Sequence, residues 1–291
     1  MTIQGNFLLE LDHVSKTYVR GGLLSRQRIQ AVDDVSFSLM SGQPEIFAII
    51  GESGSGKSTL ASMCLNLVKP SMGHLRFAGT DLADIKNKEA RLRFMAQVQP
   101  IFQNPFEAFN PLKQLDHYLF MTARRFTGAT DDDAAMQCAD EALVKVGLSL
   151  AEVRGRFPHE LSGGQLQRVA VARALIPSPK LIVADEPVSM VDASLRMSIV
   201  NLFKTLRDEL GISIIYITHD LATAYYISDR IIIMQRGKVV EGGDAKTVLS
   251  NPKHPYSQQL KNAVLLPDTA LKQSSPPQLP VQTKPGETTD V

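Results

Sequence analysis

The stretch from Gly51 to Thr59 reads GESGSGKST and fits the spacing G-x-x-x-x-G-K-[ST]. Gly51, Gly54 and Gly56 allow dihedrals that a Cβ forbids, so backbone N–H groups can turn inward onto phosphate oxygens. The run Gly51, Glu52, Ser53, Gly54, Ser55, Gly56, Lys57, Ser58, Thr59 is therefore a candidate cradle for a nucleoside triphosphate. Lys57 is placed to reach the β- and γ-phosphates, and Ser58 to hold Mg²⁺ through its hydroxyl. A second candidate lies far along the chain, where the apolar run LIVAD (181–185) ends on Asp185 and is followed by Glu186. A buried parallel strand that delivers carboxylates at its C-terminal edge puts them where open α/β sheets hold ligands. Ser162, Gly163 and Gly164 precede a helical pattern and leave its first N–H groups open to an anion, although ordinary helix caps also read this way.

These residues need elements to hold them. Ile46–Ile50 is an apolar run of strand character, and Thr59 to Leu67 has helical spacing, so the glycine loop sits between strand and helix. Strands are also expected at 7–14, 31–40, 74–79, 212–218 and in a hairpin at 230–242. His219 falls at the tip of the 212–218 strand. The segment RLRFMAQVQPIFQ (91–103) reads as an edge or broken strand because of Pro100, and Gln103 ends it. Residues 112–160 change character and read as helical, with Asp131–Asp133 as an acidic helix start and Gly147 as a stop. Further helices are expected from Ser162 to Pro177, over 193–210, and at 251–264 behind two prolines. Arg20, Arg26 and Arg28 mark an exposed basic loop over 20–30, and the Pro-, Ser- and Gln-rich stretch 267–291 is expected to be disordered. Tyr18 could stack on an adenine ring or be an ordinary half-exposed aromatic.

A chain of 291 residues, 44% hydrophobic and 21% charged, is long enough for a sizeable core. Its formal net charge of +1 gives no field suited to nucleic acid. Its apolar runs are too short to cross a membrane, and MTIQGNFLLELDH lacks the layout of a secretion signal. Cys64 and Cys138 stand in separate helical patterns and are expected to be small core residues in a reducing cytoplasm.

Together the segments resemble the ATP-binding cassette (ABC) ATPases over about residues 7–265, with several motifs in the family's order. GESGSGKST resembles the Walker A motif, IFQNP the Q-loop, LSGGQLQRVA the signature, LIVADEP the Walker B motif, and THD the switch-histidine segment. The resemblance implies an α/β P-loop (RecA-like) core with a mostly parallel sheet, an antiparallel β subdomain and an inserted helical subdomain at about 104–165. It implies that Tyr18 stacks on adenine, that Gln103 senses Mg²⁺ and the attacking water, and that Asp185 holds Mg²⁺. It further implies Glu186 as general base, with His219 touching the γ-phosphate. Ser162, Gly163, Gly164 and Gln165 would meet ATP held by a second cassette, with Asp192 beside the same interface.

Within that family the chain is similar to the ATPase subunits of oligopeptide/dipeptide-type importers. The basic loop at 20–30, FQNPFEAFNPL, and the NPKHPYSQQL extension (within 246–266) carry this likeness. It implies a second ATPase subunit, two permease subunits, an external solute-binding protein and a peripheral place on the cytoplasmic face of the inner membrane. The Phe102–Leu112 patch beside Gln103, with Phe102, Phe106 and Phe109, is a candidate permease contact, although such aromatic patches more often pack between elements. An ABC ATPase working in export, or on nucleic acid or ribosomes, is the alternative reading. The family pattern is broken by an apparent extra pair, Gln43-Pro44, expected to bulge the following strand. It is also broken by Pro100, and by Val188, Met190 and Val191 after the Walker B segment.

Overall fold

The structure is a computed structural model, and it describes residues 6–20 and 27–265. The chain opens with two long strands, β1 (Phe7–Arg20) and β2 (Gln27–Met40), and then β3 (Ile46–Ile50) and α1 (Lys57–Cys64). Next come β4 (Met72–Phe77), β5 (Thr80–Asp81), α2 (Lys88–Gln97) and β6 (Val98–Ile101). A helical stretch follows: α3 (Leu115–Phe126), α4 (Asp132–Val144), α5 (Leu150–Val153) and α6 (Gly163–Leu175). The core resumes with β7 (Leu181–Asp185), α7 (Ala193–Asp208), β8 (Ser213–Thr218) and α8 (Leu221–Ile227). The hairpin β9 (Arg230–Gln235) and β10 (Lys238–Asp244) leads to α9 (Ala245–Ser250) and α10 (Pro255–Leu265).

One sheet is antiparallel, in the order β2-β1-β4-β5. The other runs β10-β9-β3-β8-β7-β6 and is parallel except for β10. Every residue of β3 is buried, because strands flank it on both sides and helices cover both faces. Its first residue is pinned by a side chain: the Ile46 N–H donates to Asp229 at 2.8 Å, and Arg207 grips the same carboxylate at 2.6 Å. The two sheets meet at a stacked ring pair, Phe37 on Phe47, with centroids 4.6 Å apart. The helical stretch shares one apolar cluster with the parallel sheet, so it is continuous with the core rather than appended to it. No helix among the described residues is long and apolar enough to cross a membrane.

Several sequence expectations change. Residues 91–97 are helical, not strand. Asn87 caps α2 by accepting from the Ala90 N–H, Glu89 and Arg93 pair one turn apart, and Phe94 alone is buried, so no apolar stripe announces it. Pro100 does lie in an edge strand, β6, whose one sheet neighbour is β7. Gln43-Pro44 produces no bulge; β3 keeps unbroken register with β8 and β9, and the extra length is absorbed beside the Ser41–Gly42 turn. β1 and β2 extend to Arg20 and Gln27, so the expected basic loop narrows to 21–26, outside the described residues, as is the 267–291 tail. Cys64 is buried, its thiol pushed up to about 12 by burial, and Cys138 is partly exposed; both are free.

Candidate functional site

The glycine loop lies at the C-terminal end of β3, with α1 beginning at its far side. Gly56 adopts φ +104°, and a Cβ there would fall 2.2 Å from the Ala31 carbonyl. A Cβ on Gly51 would fall equally close to the Met234 carbonyl, so only glycine lets the loop lie against β2 and β9. The Gly237 N–H, in the β9–β10 turn, donates to the Ser55 carbonyl at 3.0 Å and holds the loop from behind. Lys57 turns back under the loop, donating to the carbonyls of Gly51 (2.7 Å) and Glu52 (2.9 Å). It is only 6% exposed. Burial lowers its pKa below the ordinary lysine value, while Glu186, Asp185 and Glu52 pull the other way.

β7 carries Asp185 to the same edge of the sheet. Burial raises the Asp185 pKa above the ordinary carboxylate value; the Ser58 hydroxyl and Lys57 only partly offset this, and Glu186 adds to it. Glu186 follows in the left-handed region at φ 46°, with its N–H on the Ile217 carbonyl at 2.8 Å. A non-glycine residue held there marks a backbone set by its surroundings rather than by preference. Both of its carboxylate oxygens are engaged. Gln103 Nε2 donates to Oε2 at 2.9 Å, and His219 Nδ1 lies 3.1 Å from Oε1. Gln103, at the end of β6, and His219, after β8, thus converge on one carboxylate from strands on either side of β7.

Ser58 and Asp185 are hard oxygen donors of the kind Mg²⁺ takes, and they face one another across the loop. Among the described residues no group of three or more His, Cys, Asp and Glu could hold a metal alone. Mg²⁺ is commonly bound through one or two protein groups and substrate phosphates, and Ser58 and Asp185 fit that pattern.

The other expected residues are not drawn into this cluster. Ser162 caps α6 by accepting from the Gln165 N–H at 3.2 Å, and Gln165 Oε1 returns to the Ser162 N–H at 3.1 Å. Among the described residues no hydrogen bond joins Ser162–Gln165 to the glycine loop. Gly163 and Gly164 instead back onto the segment after β7: Cβ atoms there would lie 3.2 Å from the Met190 carbonyl and 2.9 Å from Leu195 Cδ1. Asp192 stands at the start of α7, its carbonyl accepting from the Leu195 and Arg196 N–H groups. Tyr18 is half-exposed in β1, opposite Ile29, with the Lys16 ammonium 5.3 Å from its ring centre.

Phe102 and Phe106 are exposed, but Phe109 is a core residue, edge-on to Tyr118 and under the Arg173 guanidinium. The expectation that all three aromatics form a contact surface therefore fails at Phe109. Sequence reasoning also left Tyr256 without a task. Its hydroxyl accepts from the Glu52 N–H at 2.8 Å, across 204 residues.

A glycine loop on a parallel strand, a buried lysine beneath it and a carboxylate pair at the end of the next strand but one define a P-loop nucleoside triphosphatase. Comparison with known proteins narrows the class. The family model described as ABC transporter matches residues 32–189, and the chain belongs to that family, as an ATP-binding cassette with ATPase activity. It is 39% identical to the oligopeptide transport ATP-binding protein AppF of Bacillus subtilis (strain 168), over 88% of this chain and 78% of that protein. It is 40% identical to the oligopeptide transport ATP-binding protein OppF of Escherichia coli (strain K12), over 86% and 74%. Among solved structures, it resembles the dimeric post-hydrolysis state of the ATP-binding cassette MJ0796 bound to ADP and Pi. The TM-score is 0.71 at 30% identity, over 82% of this chain and 99% of that one.

Proposed function

We propose that this chain is the ATP-hydrolysing subunit of an importer for oligopeptides, dipeptides or a related solute. It works as one of two cassettes, paired head to tail with a copy or a homologue, beneath two transmembrane permease subunits served by an external solute-binding protein. It is peripheral, on the cytoplasmic face of the inner membrane. The names of its relatives and the dimeric cassette it resembles support this reading. The proposed cassette spans 1–265 with a helical insertion at about 104–165; 246–266 is the importer-type extension and 267–291 a tail.

The chemistry follows from the residues. The loop N–H groups and Lys57 draw in the triphosphate, and Tyr18 offers its ring to adenine. Ser58 and Asp185, with Gln103 nearby, hold Mg²⁺, which screens the phosphate charge when bound. Glu186 takes the proton of the attacking water as the bond from the γ-phosphorus to its bridging oxygen breaks, releasing ADP and phosphate. Gln103 and His219 orient that carboxylate by holding one oxygen each. His219 Nδ1 faces Glu186, and it could instead be turned toward the γ-phosphate. Turning to the phosphate frees a Glu186 oxygen for water. Ser162, Gly163, Gly164 and Gln165 of the opposing cassette complete the pocket, with Asp192 at the seam.

One observation carries the importer reading: Gln103 touches Glu186 while its neighbour Phe102 lines an apolar groove of about 420 Å³. Phe94, Tyr118, Met121 and Arg173 line the same groove, which is open to an apolar helix of a membrane subunit. Occupation of the groove can therefore be felt at the catalytic carboxylate. The test uses the Glu186→Gln chain, purified from membranes in mild detergent. It is expected to carry permease subunits and a second cassette, to bind ATP, and to hydrolyse it about 100-fold or more slowly than wild type. Recovery alone from the soluble fraction would remove the importer reading, and wild-type turnover would remove Glu186 as the base.

A further inference from the structure

The C-terminal extension carries a residue that no step above uses. α10 begins at Pro255, and Tyr256 is its second residue, 7% exposed and packed with Ala48, Ile50, Leu221 and Ala224. The turn that delivers it is fixed by Glu241 on β10, whose two oxygens accept from the N–H groups of Lys253 (2.8 Å) and His254 (3.0 Å). His254 Nδ1 accepts from the Tyr256 N–H at 3.2 Å, so the ring beside the tyrosine also braces the helix start. The tyrosine hydroxyl then reaches the phosphate loop and accepts from the Glu52 N–H at 2.8 Å.

That N–H and the Gly51 carbonyl belong to one peptide group. Lys57 Nζ holds its oxygen at 2.7 Å, and Tyr256 holds its nitrogen at 2.8 Å. A peptide unit is planar, so fixing both ends sets its orientation and with it the floor on which Lys57 rests. We propose that Tyr256 is a positioning residue for ATP: by clamping the Gly51–Glu52 peptide it presets the loop and Lys57 for the triphosphate. α10 also packs on α8, which starts two residues after His219. This inference rests on the nucleotide-binding reading of the loop.

Mg-ATP titration of the full chain tests it, comparing wild type, Tyr256→Phe and Leu260→Ala. Leu260 packs on the same apolar cluster but makes no contact through the hydroxyl, so its truncation loosens α10 while leaving the clamp chemistry in place. Tyr256→Phe is expected to raise the Kd for ATP about fivefold, the scale of one neutral hydrogen bond, and to raise KM while kcat at saturating ATP stays near wild type. Leu260→Ala is expected to lower the unfolding midpoint at least as much and to leave the Kd for ATP unchanged. Equal ATP affinity in wild type and Tyr256→Phe would overturn the proposal. So would an equal weakening by Leu260→Ala, which would reduce the extension to a brace. If wild type itself fails to bind ATP, the reading of the loop falls and this inference with it.

Discussion

Two helices in this chain start with serine and glycine before a polar pocket, and they start in opposite ways. α1 begins after Gly56 in the left-handed region, with no side-chain cap, over a lysine that is almost wholly buried. α6 begins after Ser162, which is exposed and closes a reciprocal cap with Gln165. The first start has no side-chain cap, and its ammonium, held by the Gly51 and Glu52 carbonyls, keeps a third N–H to give to a phosphate. The second is satisfied already. Even so, a hydroxyl that accepts from Gln165 keeps its own hydrogen, so Ser162 can donate to a phosphate without giving up its cap. The glycines differ as well. Those at α1 bend the loop, whereas Gly163 and Gly164 let α6 sit against Met190 and Leu195. On the proposed function, the first helix start binds nucleotide within its own chain, and the second, already capped, is presented to the opposing cassette.

The largest effect that separates them is expected from Lys57→Ala. Removing a charge-assisted phosphate contact should weaken ATP binding to the isolated chain about 30-fold, read by direct titration. Ser162→Ala should leave that affinity unchanged. If both substitutions weaken it equally, α6 is part of the same chain's pocket and the contrast fails.

Ser162→Ala is expected to act elsewhere. In the assembled transporter it should lower ATP turnover about tenfold, because the opposing pocket loses one donor to the phosphate. It should also cost about 1 kcal/mol of stability through loss of the cap, a fall of about 3 °C in the unfolding midpoint. Full turnover in an assembled pair carrying Ser162→Ala in both cassettes would leave α6 a structural cap only.

This division between local and distant satisfaction also explains what the sequence makes legible. β3, β7 and β8 are continuous apolar runs because neighbours cover both their faces, α6 shows its cap locally, and α7 shows its helical spacing. α2 buries only Phe94 and so offers no helical stripe, and α9 is too short to carry one. Asp185, Glu186, Gln103 and His219 sit at or just past the ends of parallel strands, and Lys57 opens the helix after another. A parallel sheet brings such ends to one edge, while their joint roles come from the resemblance to ABC ATPases. Phe109 and Phe106 look alike in sequence; only the approach of Tyr118 and Arg173 sends one to the core. Tyr256 was illegible because its partner lies 204 residues away and no spacing rule reaches that far.

The smallest expected effect concerns the stability of the α1 side without ligand. Burial raises the Asp185 pKa above the ordinary carboxylate value. A carboxylate with a raised folded-state pKa adds stability below its unfolded value, near 3.8, and loses that contribution as pH rises through the folded value. At pH 7 the charge is therefore a cost to the nucleotide-free fold. Asp185→Asn removes it and should raise the unfolding midpoint of the nucleotide-free chain by about 2 °C, while ATP hydrolysis is lost. The gain should shrink as pH falls through the raised folded-state value, where the wild-type carboxyl takes up its proton. Thermal melts of both chains across pH 4–8, without nucleotide, check the sign. A midpoint that drops at pH 7 would mean that Lys57 needs the Asp185 charge more than burial opposes it. In that case the pocket under α1 would be satisfied internally, as the tip of α6 is, and the difference between the two helix starts would vanish.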